Sequence, residues 1–299
     1  MINILMSTYN GEKYLREQLD SIFNQSYQDF VLYVRDDGSS DNTVNVLREY
    51  RKQLDDPSKM VIYAGRNAGF CNSFFRLLKK SEGGDYWTFS DQDDVWYKDK
   101  LAHAIEWFRK NDDKDIPMLY HSGIEFADEN MKVIKKYDIG NYPYCFQKSI
   151  TSSIFYGFSV MINKKLRDEL LKSNPRRVYY HDWYMGMIVA GFGKYCFSDV
   201  VDSAHRIHTN NTSAVSIRSK IPMLKKLLTE ESFYIKQAME FKKRYYNELS
   251  ESDKRVIDMF DMRSDRVRKT LKKVFYGKRW NQRPLEELVI RSMMLIGKI

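Results

Sequence analysis

Cysteine, phosphate-gripping glycine loops and long apolar runs are what this chain has least of. Three cysteines, Cys71, Cys145 and Cys196, stand in 299 residues. They lie far apart, without the paired spacing of a zinc site, and an odd number makes no complete disulfide framework. They read as reduced residues of a cytosolic protein. The opening Met1-Ile2-Asn3-Ile4-Leu5-Met6 lacks the basic and apolar regions of an export signal. No stretch approaches the ~18 consecutive apolar residues of a membrane span. No G-x-G-x-x-G follows the first predicted strand, and no Walker A lysine loop occurs. A phosphorylated ligand would need some other device to hold it.

What is present is enough for a sizeable core. Hydrophobic residues make up 43% of the chain and aromatics 14%, which argues against disorder. The net charge of +9 is unevenly placed. From Arg218 onward there are 21 Lys+Arg against 11 Asp+Glu, so residues 1–217 are close to neutral and the tail carries the excess. Such asymmetry suggests a basic surface that meets an anionic partner. A nucleic-acid binder would spread basic and aromatic residues across its sheet, and here the sheet-forming part is neutral, so nucleic acid is not expected.

Hydrophobic periodicity predicts alternating strands and helices through the first half. Strands are expected at Ile2–Ser7, Phe30–Arg35, Met60–Ala64 and Tyr86–Phe89. Helices are expected at Glu12–Phe23, over residues 44–54, at Phe70–Lys80 and at Lys98–Arg109. Short polar turns between them argue for parallel strands with crossover helices. Each strand then ends on small or polar residues: Thr8-Tyr9-Asn10, Asp36-Asp37-Gly38, Arg66-Asn67-Ala68-Gly69 and Asp91-Gln92-Asp93-Asp94. Parallel topology brings all of these ends to one sheet edge, where open α/β sheets bind ligands.

The last of these turns is the densest in charge, with three carboxylates in the four positions Asp91 to Asp94. Like charges that close destabilise one another unless something positive sits among them. A divalent metal holding a diphosphate satisfies that need; a solvated turn capping the next helix is the simpler alternative.

The second half is less regular. Strands are expected at Met118–Gly123, Met131–Lys135, Gly157–Asn163, Gly193–Asp199 and Val201–Arg206, with a loop over Lys136–Lys148. A short helix is expected at Lys164–Leu171, and another opens at Tyr179-Tyr180-His181-Asp182-Trp183-Tyr184. The polar stretch His208 to Ser213 follows. A boundary at residues 218 and 219 divides an α/β domain from a basic helical region. That region's helices are expected at Ile221–Leu249, Asp253–Tyr276 and Pro284–Ile299. Val267, Leu271, Val274 and Phe275 form an apolar stripe flanked by Arg266, Arg268, Lys269, Lys272 and Lys273. This fits a helix lying on an anionic membrane surface, an ordinary helical subdomain with a solvated basic face, or a homodimer contact.

Taken together, the motifs resemble a bacterial family 2 glycosyltransferase of the GT-A fold, an α/β architecture with a Rossmann-like, mostly parallel sheet flanked by helices. The likeness rests on Ser7-Thr8-Tyr9-Asn10-Gly11, Arg35-Asp36-Asp37-Gly38-Ser39-Ser40-Asp41, Asn67-Ala68-Gly69-Phe70 and the D-x-D triplet Asp91-Gln92-Asp93, in order over residues 1 to about 215. Ser90 to Trp96, His181-Asp182-Trp183 and Arg206-x-His208-x-Asn210-Asn211 look most like rhamnosyltransferases of cell-wall, capsule and O-antigen synthesis. Ile207 and Thr209 depart from the residues usual around that histidine.

The resemblance implies an inverting, metal-dependent transfer, with dTDP-L-rhamnose as donor and a lipid-linked glycan as acceptor. A UDP-hexose donor is the alternative within the fold, and a nucleotidyltransferase the alternative outside it. Implied donor contacts are Thr8, Tyr9, Asn10, Asp36, Asp37, Arg66, Asn67, Gly69, Asp91 and Asp94. Asp93 and His208 are the implied ligands of Mn2+ or Mg2+, although a histidine in a polar loop is as readily just solvated. Asp182 is the implied general base; on residue type alone it reads more readily as a helix N-cap or first-turn acid, and the family motif is what favours the base. Trp96, His181 and Trp183 are expected on the acceptor side. The implied location is cytoplasmic, peripheral on the inner face of the cell membrane.

Overall fold

The computed structural model describes residues 1–139, 143–208, 232–281 and 283–299. The chain divides into two compact units that interleave along the sequence. The first comprises Met1–Asp138, Phe155–Leu171 and Gly193–His208; the second comprises Ile139–Ile154, Lys172–Phe192 and Thr209–Ile299. The expected boundary at residues 218 and 219 falls outside the described residues, and the second unit draws on two segments well before it.

The first unit is built on a nine-stranded sheet. Its strands are β1 (Ile2–Thr8), β2 (Phe30–Asp36), β3 (Met60–Ala64), β4 (Tyr86–Ser90), β5 (Val95–Trp96), β6 (Met118–Ala127), β7 (Val133–Lys136), β8 (Val160–Asn163) and β9 (Lys194–Arg206). The order across the sheet is β3-β2-β1-β4-β8-β6-β9-β5, with β7 paired to β6. The first four strands are parallel, as expected; β8 then runs antiparallel between β4 and β6.

Alternation along the parallel strands decides which helix covers which face. Ile2, Ile4 and Met6 point into one core with Leu15, Leu19 and Ile22 of α1 (Leu15–Phe23), Leu47 of α2 (Thr43–Gln53), and Leu101, Ile105 and Phe108 of α4 (Lys100–Asn111). On the opposite face Ser7 donates to Ser73 of α3 (Phe70–Lys80), at 2.7 Å. These helices are the crossovers of the parallel strands, and each returns the chain so that all the strand ends fall on one edge.

Two features differ from the sequence expectation. β9 is one continuous strand where two were expected, and it runs parallel to β6 along nearly its whole length. Its register against β6 shifts around Gly123, where the backbone of Val200 comes so close that an added Cβ would lie 2.8 Å from the Val200 carbonyl oxygen. β5, unforeseen, is a two-residue strand directly after the acidic turn; it pairs antiparallel with β9, Val95 opposite Ala204 and Trp96 opposite Ser203.

The second unit is helical. It includes α5 (Phe146–Ser149), α7 (His181–Phe192), which follows α6 (Lys164–Leu171) of the first unit in the chain, and the helices Phe233–Tyr245, Glu251–Asp258, Arg266–Val274 and Pro284–Leu295. The long helix expected over Asp253–Tyr276 is broken. Asp261 pairs with Lys242 and Arg263, its carbonyl accepts from Lys269, and Asp265 adopts left-handed backbone (φ 51°). Asp and Asn tolerate that conformation better than other side chains, so Asp265 marks the break. Among the described residues, no helix is long and apolar enough to cross a membrane.

Candidate active site

The strand ends of the first unit are zipped together by their own turn residues. Asp36 is buried and accepts from Thr8 Oγ1 (3.1 Å) and from the backbone N–H groups of Gly38 and Ser39 (3.1 and 3.0 Å). Asn10, with φ 48°, donates its N–H to Ser39 Oγ (2.9 Å) and accepts from the Ser40 N–H (2.8 Å). Asp37 is also buried. Its carboxylate takes the Arg35 guanidinium and the backbone N–H groups of Ala68 and Gly69, both at 2.8 Å, which fixes the third turn against the second. Gly69 has φ 81°, a conformation that favours glycine. Arg66 and Asn67 are exposed on that turn, with the Arg66 carbonyl tied to Arg35 at 3.0 Å. Tyr9 is half exposed at the first turn.

Gln92, the middle residue of the D-x-D triplet, was not singled out by the sequence. It exchanges two hydrogen bonds with the Tyr9 backbone, accepting from its N–H (2.8 Å) and donating to its carbonyl (3.1 Å). It couples the first strand end to the fourth. The Cβ of an alanine at Gly11 would fall on this side chain, so glycine there makes room for the clasp.

The acidic turn meets the end of β9. Pairing of β5 with β9 sets Asp94 beside His205, Oδ1 to Nδ1 2.7 Å, and Asp93 Oδ2 lies 2.8 Å from His208 Nε2. Arg206 is 2% exposed and spans the whole arrangement. Its guanidinium donates to the Asp93 carbonyl (3.0 Å), to the Glu129 carbonyl and to the Glu17 carboxylate, while lying over the Tyr14 ring.

The positive charge demanded by three clustered acids is therefore supplied in part by the protein itself. Burial works against a proton on His205, but the charge and hydrogen bond of Asp94, with Asp91 and Asp93 beyond, push its pKa up to about 9. Burial and the neighbouring Asp94 raise the Asp93 carboxyl, opposed by His208 and His205. Lys100, also buried, donates to Ser122 at 3.0 Å; burial lowers its pKa to about 8 against the pull of Asp202 and Asp94.

Asp93 and His208, the two metal ligands that the resemblance implies, are hydrogen-bonded to each other, and the fully buried Asp94 keeps Oδ2 without a hydrogen-bond partner among the described residues. No group of three or more metal-binding side chains is assembled among the described residues. Two donors, an oxygen and an imidazole nitrogen, fit a Mg2+ or Mn2+ that takes its other ligands from substrate phosphates and water.

The remaining expected residues belong elsewhere. Trp96 is 3% exposed, with Lys100 Nζ over its ring, and so packs inside the first unit. His181 and Trp183 lie in α7 of the second unit, and both are buried. Burial alone holds the His181 ring neutral, with its pKa near 3. The Trp183 indole donates to the Ser149 carbonyl (2.6 Å) and packs edge-on against Tyr234. All three rings are buried, so none presents an open face for a sugar. Asp182, in the first turn of α7, is partly exposed and accepts from the N–H of Trp183 at 2.7 Å. Asn210 and Asn211 lie outside the described residues.

Comparison with known proteins shows which family carries this arrangement of elements. Residues 3–171 match the family described as "Glycosyl transferase family 2". The chain belongs to this family. Among relatives of this glycosyltransferase, the dTDP-rhamnosyl transferase RfbG of Shigella flexneri is 46% identical over 105 residues, covering 34% of this chain and 36% of that protein. The match thus spans about a third of that relative's length. Among solved structures, Staphylococcus aureus TarS 1–349 in complex with UDP-GlcNAc aligns with a TM-score of 0.57 at 18% identity, over 99% of this chain and 79% of TarS 1–349. The mannosyltransferase PcManGT of Pyrobaculum calidifontis, in complex with GDP-Man and Mn2+, aligns at 0.55 and 14% identity, over 99% of this chain and 85% of the mannosyltransferase. These glycosyltransferases share the fold of this chain, which is GT-A with C-terminal helices.

Proposed function

We propose that this glycosyltransferase moves L-rhamnose from dTDP-L-rhamnose to a lipid-linked glycan in cell-wall, capsule or O-antigen synthesis, inverting the anomeric centre. The observation that carries the transfer chemistry is the pairing of Asp93 with His208 at the end of the acidic turn. The choice of rhamnose is supported by the similarity to the dTDP-rhamnosyl transferase RfbG over part of the chain. A UDP-hexose is the second reading, favoured by the likeness of fold to a protein solved with UDP-GlcNAc.

In this reading the acceptor hydroxyl oxygen attacks the anomeric carbon as the bond from that carbon to the diphosphate oxygen breaks. The hydroxyl proton passes to Asp182, and the nucleoside diphosphate leaves with the bonding pair. Asp93 and His208 would hold Mn2+ or Mg2+, whose positive charge stabilises the leaving diphosphate when bound. Thr8, Tyr9, Asn10, Asp36, Asp37, Arg66, Asn67, Gly69, Asp91 and Asp94 form or support the nucleotide pocket. Within that set, Asp36 and Asp37 act by holding the turns, since their carboxylates are taken up by protein donors. Asp182 gains from its place in the first turn of a helix, where the N-terminal N–H groups favour a negative side chain.

A donor panel tests the reading. With Mn2+ or Mg2+ present, dTDP-rhamnose should be hydrolysed slowly without acceptor and should stabilise the protein to heat more than UDP-glucose does. The reverse preference assigns a hexose donor, and no response to any sugar nucleotide contradicts the proposal.

A further inference from the structure

The helix Pro284–Leu295 is apolar on both sides. Its inner face buries Ile290, Met293 and Met294. Its outer face exposes Leu285 (80%), Leu288 (65%) and Val289 (52%), and continues into Leu295 (58%) and Ile296 (57%). At 100° per residue these five fall on one stripe. The helix's charges are turned away from it. Glu287 is buried and accepts from Arg291 and the Asn281 N–H, while Arg291 also donates to the carbonyls of Val274, Tyr276 and Lys278. Ser292, the polar residue within the stripe, spends its hydroxyl on the Leu288 carbonyl (2.9 Å). A helix apolar all round belongs in a core or against a hydrocarbon phase.

The neighbouring helix Arg266–Val274 extends the same kind of surface. It exposes Val267 (75%) and Leu271 (46%), and the stripe runs on to Phe275 (77%), at i, i+4 and i+8. Val274, which the sequence put in this stripe, is buried instead. The Arg266 guanidinium lies where a Cβ at Gly297 would project, so the basic helix adjoins the far end of the apolar one. Arg266, Arg268, Lys272, Lys278 and Arg279 are exposed around these residues, against the exposed acid Asp265 and the half-exposed Glu286, which pairs with Arg283 at 3.0 Å.

We propose that these two helices form a docking surface for an anionic lipid interface, with Leu285, Leu288, Val289, Phe275 and Val267 entering the acyl boundary and the basic rim meeting the headgroups. Charge selects this occupant. A second copy would bring two basic rims together, whereas anionic headgroups neutralise them. The surface deepens the reading of a lipid-linked acceptor, and vesicle binding stands or fails separately from sugar transfer.

Deleting the segment is not the test, because Trp280 within it is fully buried against Phe260 and its carbonyl accepts from Thr151 at 3.0 Å. Full-length protein is sedimented with vesicles of phosphatidylcholine alone and of phosphatidylcholine with phosphatidylglycerol. Binding should require phosphatidylglycerol, and should weaken at least about tenfold in Leu285→Gln/Leu288→Gln and in Arg268→Glu/Lys272→Glu, with circular dichroism and nucleotide affinity unchanged. Failure of the wild-type protein to bind, or binding that both pairs leave intact, overturns the proposal. So does a concentration-dependent dimer that Leu285→Gln/Leu288→Gln dissolves, which assigns the face to a second copy.

Discussion

Arg206 shows how much of the site rests on one side chain. Its planar guanidinium reaches the Asp93 carbonyl, the Glu129 carbonyl and the Glu17 carboxylate from a fully covered position. Lysine keeps the charge but loses the fork. Arg206→Lys should lower the melting temperature and weaken metal-dependent nucleotide binding by about tenfold, through a displaced Asp93, read by calorimetry on the same samples. Asp182 makes a different prediction. Asp182→Asn should reduce transfer by about 10²–10⁴, the range of a general base, while donor affinity measured by titration stays at the wild-type value. Transfer near the wild-type rate would give the base role to another residue. His121 connects a residue to pH. It is fully buried, accepts from the Tyr156 N–H at 3.3 Å and stacks on Phe197, and burial with the nearby charge of Lys100 lowers its pKa to about 3. The unfolded chain therefore binds a proton at His121 at a higher pH than the folded one. Its contribution to stability is complete above the unfolded value of about 6.5 and is lost progressively as pH falls toward 3. Histidine NMR signals should show His121 still neutral at pH 5; a midpoint near 6.5 would contradict its buried, accepting role.

The elements explain what was legible in the sequence and what was not. β1 to β4 and their crossover helices could be read because each is a local pattern: apolar runs broken by polar turns, then apolar residues at helical spacing. The polar strand ends followed from parallel topology alone. β5 could not be read this way, since Val95-Trp96 is too short to show a period, and its partner Ser203-Ala204 lies over a hundred residues away. Yet this pairing brings His205, Arg206 and His208 to the acidic turn. The apolar pair directly after the acids was the available signal. The long helix expected over Asp253–Tyr276 failed for the opposite reason: its helical period persists, but ion pairs around Asp261 and the left-handed Asp265 interrupt it. Gly123 tests the β6–β9 junction. An alanine there meets the backbone of Val200, which has little freedom to yield, so Gly123→Ala should destabilise the fold by about 1–3 kcal/mol in urea unfolding. An unchanged midpoint would mean that the register shift around Gly123 adjusts freely.

At the scale of the molecule, the charge asymmetry of the sequence proves informative in a more specific way than a division into front and tail. The helical unit recruits Ile139–Ile154 and Lys172–Phe192, so α7 and its Asp182 belong with the basic C-terminal helices and not with the sheet that carries the acidic turn. That allocation was not legible, because contacts such as Trp183 to Ser149, Tyr179 to Gln237 and Thr151 to Trp280 are long-range and leave no period in the chain. Family membership fixes sugar transfer as the class of chemistry, and the first unit supplies a sheet edge whose turns are already tied together by Gln92, Asp36, Asp37 and Arg206. The central claim is that Asp93 and His208 hold the cation that binds the donor's diphosphate. Isothermal titration of dTDP into the wild-type protein and into Asp93→Asn, each with Mn2+ and with chelator, measures this most directly. Tight binding only in the wild-type protein with Mn2+ is the predicted result; equal affinity in chelator, or an undiminished Mn2+ effect in Asp93→Asn, would contradict it.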